Sequence, residues 1–164
     1  MTYYNIDTHP DQAYFLSEDS EKILSQINPA LEQVVRRAVA ISDIEIQVFH
    51  GKRTLAEQDE FFRKGVVQGS HSGHIYGAAV DIMPYIRGRM CPETEVFDEV
   101  AMSMKYAAAD LNTPIRWGGA WHCANLAAFE GIIEDLQTWY IEHCIEHGKR
   151  VRLDPHHFEL SVAE

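Results

Sequence analysis

The chain has 164 residues, of which 46% are hydrophobic and 24% are charged, and its formal net charge at pH 7 is −11. This length and composition are typical of one soluble domain with its own hydrophobic core, and no apolar run is long enough to span a membrane. The acidic excess argues against nucleic acid and against an anionic membrane as partners, because both are bound through basic surfaces.

Residues 1–17 are predicted to form a loosely ordered lead-in, and residues 18–164 to form a single domain. The lead-in lacks a basic start followed by an apolar segment, so we expect no secretory signal peptide and synthesis in the cytoplasm. The three cysteines contain no CxxC pair, which argues against a disulfide framework and against a cysteine zinc site. They are Cys91, Cys123 and Cys144, the last in a helical pattern typical of a core residue.

The first half of the chain predicts two helices and one strand, preceded by candidate helix caps. Residues 17–20 offer the caps, and apolar residues recur at helical spacing after Pro29. Residues 44–49 alternate apolar and polar side chains, which indicates a strand with one buried face. Thr54 then opens a further helix with a capping box, and Gly65 ends it.

The second half predicts further strands and two long helices. The predicted elements are a buried strand over 77–84, a turn at 87–89, a helix over 95–111, a short strand over 114–118, a long helix over 125–147, and a last strand region at 151–153 and 157–162. Strands and helices are mixed without regular βαβ alternation. We therefore expect an α+β fold, a single compact domain with a small, mostly antiparallel sheet flanked by helices.

The segment 72–81 reads SGHIYGAAVD and places a histidine, His74, seven residues before an aspartate, Asp81. Asp81 has apolar neighbours in a predicted strand, where a buried carboxylate is costly unless it is paired or binds a metal. The small residues between the two leave room for an ion and a substrate. The alternative is an ordinary loop histidine and an aspartate that caps a neighbouring element.

The segment 154–160 reads DPHHFEL and supplies a second histidine with an acid three residues before it. His157 begins a predicted strand and has apolar neighbours at strand spacing, so we prefer it over His156 as a ligand. Two histidines and one carboxylate can hold zinc and leave a position for water, and a further unligated carboxylate is what hydrolysis needs. Asp154 is predicted to face that cavity, the alternative being a surface Asp-Pro turn.

Other polar and aromatic residues are weaker candidates. Arg53 follows a predicted strand, where its guanidinium could bind a substrate carboxylate or stabilise an oxyanion; the alternative is a solvated arginine at a helix start. Trp117 and Trp121 flank two glycines and could line a substrate groove or pack in the core. The remaining histidines have no spacing that requires a metal: His71, His122, and the pair His143 and His147, for which a solvated helix face is predicted.

Four ordered elements of the chain resemble the zinc peptidases of phage endolysins that cut the L-alanyl-D-glutamate bond of peptidoglycan. These enzymes are relatives of the D-alanyl-D-alanine carboxypeptidases and dipeptidases. The matching elements are Arg-Thr-x-x-x-Gln at 53–58, Ser-x-His-x-x-Gly-x-Ala-x-Asp at 72–81, Ile-Arg-Trp-Gly-Gly-x-Trp at 115–121 and acid-x-x-His-Phe-Glu-Leu at 154–160. The resemblance extends from about residue 17 to the end of the chain.

The resemblance implies that residues 18–164 are a zinc peptidase catalytic domain with the compact α+β fold of DD-peptidase and Hedgehog-like domains. It implies a Zn²⁺ ion held by three residues, which are His74, Asp81 and His157. It also implies that Asp154 is the catalytic acid and base and that Arg53 holds the substrate or the developing oxyanion. We expect Ser72 and Trp117, together with Arg53, to contribute to substrate binding.

The expected function is therefore zinc-dependent cleavage of the peptidoglycan stem peptide by a monomeric phage or prophage endolysin that reaches the wall after release. One alternative is a D-alanyl-D-alanine carboxypeptidase or dipeptidase on the same scaffold. A second is a non-catalytic, zinc-containing phage protein that binds the wall. A structural zinc site would need a fourth protein ligand, for which His71, His122 and His156 are the candidates.

Overall fold

The computed structural model describes residues 14–66 and 72–162. In these ranges the helices are α1 (Glu18–Leu24), α2 (Pro29–Ile41), α3 (Leu55–Arg63), α4 (Thr94–Asp110) and α5 (Ile133–Glu146). The strands are β1 (Glu45–His50), β2 (Ala79–Ile86), β3 (Arg89–Met90), β4 (Ile115–Trp117) and β5 (His157–Leu160), and two short 3-10 helices cover Gly73–Tyr76 and Leu126–Ala128. None of the described helices has the length and apolar character needed to cross a membrane.

The strands form one antiparallel sheet in the order β1-β2-β5-β4, with β3 paired to β2. The register between β2 and β5 places Asp81 opposite His157. On the other side of β2, the register with β1 places His50 opposite Asp81 after an irregularity in the pairing. Two segments distant in sequence therefore meet at the same end of β2. The predicted α+β class with a small antiparallel sheet is confirmed.

The helices pack according to their apolar faces. Asn28 caps α2 by accepting a hydrogen bond from the Ala30 amide at 2.9 Å, and Pro29 occupies the first turn, where its missing N–H costs nothing. Helix α4 packs against α2, β2 and β4, while α1 packs against β1. The core between these elements includes Leu31, Val35, Val80, Ile82, Phe97, Met104, Ile115 and Phe158.

The predicted caps and turns are also present. Ser17 caps α1, and Thr54 and Glu57 form the reciprocal capping box at the start of α3. Arg87 and Gly88 both have positive φ, at 52° and 75°, as the tight connection from β2 to β3 requires. The predicted turn at 87–89 is thus a hairpin turn.

The long helix predicted over 125–147 is wrong, because the chain is interrupted between Ala128 and Ile133. The side chain of Asn125 caps only the short 3-10 helix, and Phe129 is extended. A Cβ atom on Gly131 would overlap the ring of Phe129, so this glycine lets the aromatic side chain fold back over the backbone. Apolar spacing alone did not reveal this break.

The last predicted strand region is also shorter than expected. Residues 151–153 lie outside the sheet, and only His157–Leu160 pair with β2 and β4.

Cys144 is 2% exposed and lies in the core, as predicted. Most of the predicted lead-in, residues 1–13, and the loop residues 67–71 lie outside the described residues.

Candidate metal centre

Three buried side chains converge at the meeting of β2 and β5. They are His74, Asp81 and His157, and one ligand atom of each lies within 4.8 Å of the other two. Oδ1 of Asp81 is 3.3 Å from Nε2 of His74 and 3.2 Å from Nδ1 of His157. The two ring nitrogens are themselves 3.2 Å apart. This group can therefore offer two nitrogens and one oxygen to a single metal ion.

Local backbone structure aims His74 into this group. The residue lies in the 3-10 helix Gly73–Tyr76, where Oγ of Ser72 accepts a hydrogen bond from the His74 amide at 3.2 Å. Gly77 ends the helix with a φ of 67°, a left-handed conformation that favours glycine, and donates its N–H to the His74 carbonyl. Asp81 and His157 need no such device, because they are cross-strand partners in the sheet.

Each histidine has an acceptor for its second ring nitrogen. Nδ1 of His74 is 2.8 Å from the carbonyl of Gly51, and since a carbonyl only accepts, that nitrogen carries the proton and Nε2 is left for a metal. Nε2 of His157 is 3.0 Å from a carboxylate oxygen of Glu159. Metal-binding histidines are usually oriented by such outer acceptors. The donor set and its surroundings therefore fit a metal ion.

The charges in the group are complementary. Burial alone would raise the pKa of the Asp81 carboxyl, but hydrogen bonds with His157, His50 and His74 hold it far below its usual range. Burial would likewise lower the pKa of His157, but its hydrogen bonds with Asp81 and Glu159 raise it to about 9. With no ion bound, a proton on His157 thus neutralises the site, and a metal ion must displace that proton.

Glu159 and His50 are two residues of the site that the sequence reasoning missed. Besides His157, Glu159 contacts Arg116 at 3.2 Å, and Arg116 also donates to the carbonyl of Trp121 at 3.1 Å. Nδ1 of His50 lies 3.2 Å from the second oxygen of Asp81. Glu159 could have been found, because residues two apart on a strand share a face. The position of His50 next to Asp81 could be predicted only from the register between β1 and β2.

Arg53 is held rigidly next to the His74 segment. It is 8% exposed, and its amide donates to the His74 carbonyl at 2.9 Å. Its guanidinium donates to Oε1 of Gln58 at 2.6 Å and stacks over Phe61, whose ring centre is 4.7 Å away. The arginine is thus a fixed cation rather than a solvated helix-start residue.

Asp154 lies at the same end of the sheet but outside the three-residue group. Its amide donates to the Gly118 carbonyl at 2.9 Å, and its carbonyl accepts from the His157 amide at 3.0 Å. A Cβ atom on Gly118 would overlap the Asp154 backbone, so this close approach requires glycine. One carboxylate oxygen lies 2.8 Å from Nε2 of His156. Burial alone would lower the pKa of His156, but this contact with Asp154 raises it.

The neighbouring His156 occupies a different environment from His157. Its carbonyl accepts from the Ile82 amide, and its ring lies near Phe49 and Phe97 at centroid distances of 5.8 and 6.4 Å. The structure therefore brings His157, and not His156, together with the other two ligand candidates.

The two tryptophans, Trp117 and Trp121, differ in burial and in what they contact. Trp117 is 1% exposed, stacks on Phe158 and donates to the Pro155 carbonyl at 2.7 Å. Its ring is therefore not available for direct contact with a substrate, which corrects the expectation that it binds one; it supports the turn before His157 instead. Trp121 is partly exposed, and its ring centre is 5.4 Å from that of His157. Of the pair, Trp121 is the one placed to line a groove.

The remaining histidines lie elsewhere. His122, His143 and His147 lie in a row, with ring centroids 5.8 and 4.2 Å apart. His147 follows α5 and is exposed, as predicted, whereas His143 is partly buried between the other two rings. His71 lies outside the described residues.

The chain is similar to known peptidases in sequence and in overall structure. The model of the family described as phage L-alanyl-D-glutamate peptidase matches residues 12–137. The L-alanyl-D-glutamate peptidase of Escherichia phage T5 is 30% identical over 116 residues, covering 68% of this chain and 85% of that protein. The crystal structure of the L-Ala D-Glu endopeptidase ChiX of Serratia marcescens superimposes with a TM-score of 0.66 and 25% identity, covering 92% of this chain and 91% of that one.

Proposed function

The chain belongs to the phage L-alanyl-D-glutamate peptidase family, and we propose that it is a zinc-dependent endolysin that cuts the L-alanyl-D-glutamate bond of the peptidoglycan stem peptide. The observation that carries the proposal is the convergence of His74, Asp81 and His157, with an outer acceptor on each imidazole. We further propose that the protein is monomeric and acts on the wall after release from the cytoplasm.

Zinc is the ion that this donor set fits best. Two imidazoles and one carboxylate are a common catalytic zinc set that leaves one position open, whereas Mg²⁺ and Ca²⁺ prefer oxygen ligands alone. His74, Asp81 and His157 would hold the ion. When bound, zinc acidifies a water molecule and polarises a carbonyl oxygen.

The protein's own residues would then handle the protons and the charge. Asp154 is outside the ligand group and its side chain is 41% exposed, so the carboxylate oxygen that does not face His156 would take a proton from the attacking water. It would pass that proton to the leaving amine of the cleaved bond. Arg53, fixed by Gln58, would hold the substrate or stabilise charge on the carbonyl oxygen.

The test is digestion of purified peptidoglycan by the zinc-loaded protein, followed by mass spectrometry of the products. New amino-terminal D-glutamate ends, absent with an Asp154→Ala variant that still binds zinc, are the expected result. Release of free D-alanine would instead indicate the carboxypeptidase activity. Stoichiometric zinc without any product would contradict the proposal and favour a wall-binding protein.

A further inference from the structure

A second cavity, of about 420 Å³, opens beside the metal centre. Trp121 lines it, and the same ring lies 5.4 Å from the ring of His157, so the two sites share one aromatic wall. The opposite wall is formed by α5 and by the segment that follows it, through Tyr140, Lys149, Arg150 and Arg152. Trp121 is therefore the side chain that the metal centre and the cavity have in common.

The cavity is cationic although the protein as a whole is acidic. Three of its lining side chains are Lys149, Arg150 and Arg152, and no lining residue is an aspartate or a glutamate, against a formal net charge of −11 for the chain. Within the described residues, none of these three cations forms an ion pair. A concave wall with charges of one sign concentrates the electrostatic potential and attracts the opposite charge.

The backbone of the cationic segment is held in place over α5. Gly148, with a φ of 61°, reverses the chain, and the Lys149 amide donates to the Cys144 carbonyl at 2.8 Å. The hydroxyl of Tyr140 then donates to the Arg152 carbonyl at 3.2 Å and accepts from the Arg152 amide at 3.3 Å. Because the backbone is anchored at both ends of the segment, the three side chains start from fixed positions around the cavity.

The proposed substrate carries the matching charge. The L-alanyl-D-glutamate bond uses the amino group of D-glutamate, so both carboxyl groups of that residue lie outside the bond that is cut. Only one of them continues the stem peptide, and the other, where it is not amidated, is a carboxylate close to the scissile bond. Arginine binds carboxylates through paired N–H groups, and lysine adds a compact positive charge.

We propose that the cavity formed by Trp121, Tyr140, Lys149, Arg150 and Arg152 is a carboxylate-binding subsite for the acidic residue that follows the scissile bond. This inference rests on the proposed function, because it takes its ligand from the bond assigned there. The subsite would select substrates with a free carboxylate at this position over their neutral amides.

The experiment compares two synthetic stem peptides, one with the free D-glutamate carboxylate and one with the corresponding neutral amide. The pocket variant is Lys149→Gln/Arg152→Gln. The matched control is Arg87→Gln/Arg89→Gln. It also removes two positive charges, but from the exposed β2–β3 turn, at the far end of β2 from Asp81. Zinc content and melting temperature of both variants are compared with those of the wild type.

We expect the pocket variant to raise KM for the acidic peptide on the order of 10- to 100-fold, because two charge-assisted hydrogen bonds to the carboxylate are lost together. KM for the neutral peptide should change less than threefold, and the control variant should leave the ratio between the two peptides unchanged. An equal rise in KM for both peptides, or an equal rise in the pocket and control variants, would contradict the proposed subsite.

Direct binding separates this inference from the proposed function. Calorimetry with the acidic peptide in the Asp154→Ala background, in which turnover is expected to be lost, measures the subsite on its own. If the wild type cleaves neither peptide but binds the acidic one, and the pocket variant loses that binding, the subsite stands and the assigned bond is wrong. If inorganic phosphate displaces the peptide more strongly than free D-glutamate does, the cavity is a phosphate site and the carboxylate assignment falls.

Discussion

Both the sheet end of the molecule and its α4–α5 layer contain clusters of titratable side chains. The pKa of the carboxyl group is lowered in the first cluster and raised in the second. At the sheet, Asp81 lies among the imidazoles of His50, His74 and His157, and the last two can share a metal ion with it. In the helical layer, burial and the nearby carboxylates of Glu134, Glu95 and Glu99 raise the pKa of Asp98 to about 6. Burial acts to raise the pKa of both carboxyls, although Asp98 is only partly buried, so the opposite outcome at Asp81 comes from its histidine partners.

The histidines of the two regions differ in the same way. His122 and His143 stack on each other, and burial together with His143 lowers the pKa of His122. No carboxylate joins them within the described residues, and they are not among the three residues able to hold a metal. In the part of the chain that the structure describes, the pair His122 and His143 thus lacks the buried carboxylate and the outer acceptors that accompany His74 and His157 at the sheet.

The largest expected effect comes from removing a ligand at the sheet. His157→Ala should weaken zinc binding on the order of a thousandfold, because it removes about a third of a binding free energy of roughly 12 kcal/mol. His143→Ala, the matched change in the helical layer, should leave zinc binding intact. Competition with a chelating dye measures both. Equal losses in the two variants would remove the distinction between the regions.

The next effect separates a ligand from a neighbouring carboxylate. Asp154→Asn preserves the shape of the side chain and should retain stoichiometric zinc, while kcat falls about 10²- to 10⁴-fold because the proton acceptor is lost. Metal analysis and turnover on stem peptides are measured on the same preparation. Near-normal turnover would show that another group takes the proton from the attacking water.

A smaller effect is expected from the outer acceptor of His157. Glu159→Gln removes the charge that faces Nε2 of His157 and that pairs with Arg116, so zinc affinity should fall about 10- to 100-fold. The matched control is Glu142→Gln on the exposed face of α5, which should not change zinc affinity. An unchanged affinity in Glu159→Gln would mean that Asp81 orients His157 alone.

The smallest effect concerns Asp98 and has a defined pH dependence. Its pKa is raised in the folded state, so the folded protein binds more protons than the unfolded chain between about pH 4 and 6, and stability falls as pH rises through that window. Asp98→Asn should therefore add about 1 kcal/mol at pH 7, a figure reduced for the solvent that still reaches the group. Near pH 4 the gain should vanish. Urea unfolding at both pH values tests this, and an equal gain at both would exclude the titration.

Much of the fold follows from local sequence signals. The caps at Ser17 and Thr54 and the apolar spacing after Pro29 each predicted an element that is present. The helix over 125–147 could not be resolved by the same reasoning, because its interruption depends on the ring of Phe129 folding over Gly131. This is a contact between a side chain and the backbone, and the spacing of apolar residues along the sequence carries no information about it.

The ligand group was predictable for a different reason. His74 and Asp81 stand in a short motif, and His157 has strand spacing, so their convergence needed only one antiparallel pairing. Glu159 and His50 went unnoticed because their roles depend on which face of β5 and which register of β1 reach the site. The different fates of Trp117 and Trp121 are likewise set by packing after the two glycines, not by their spacing.

The position of Gly51 limits how this site could be transferred to another protein scaffold. Its carbonyl holds the proton of His74, while a Cβ atom at Gly51 would lie 2.6 Å from Cγ2 of Ile23 and 3.0 Å from Cγ2 of Ile27. The apolar packing of α1 thus dictates which imidazole nitrogen is presented to an ion. A graft that copies the three ligands and omits α1 would carry the right residues in the wrong tautomer.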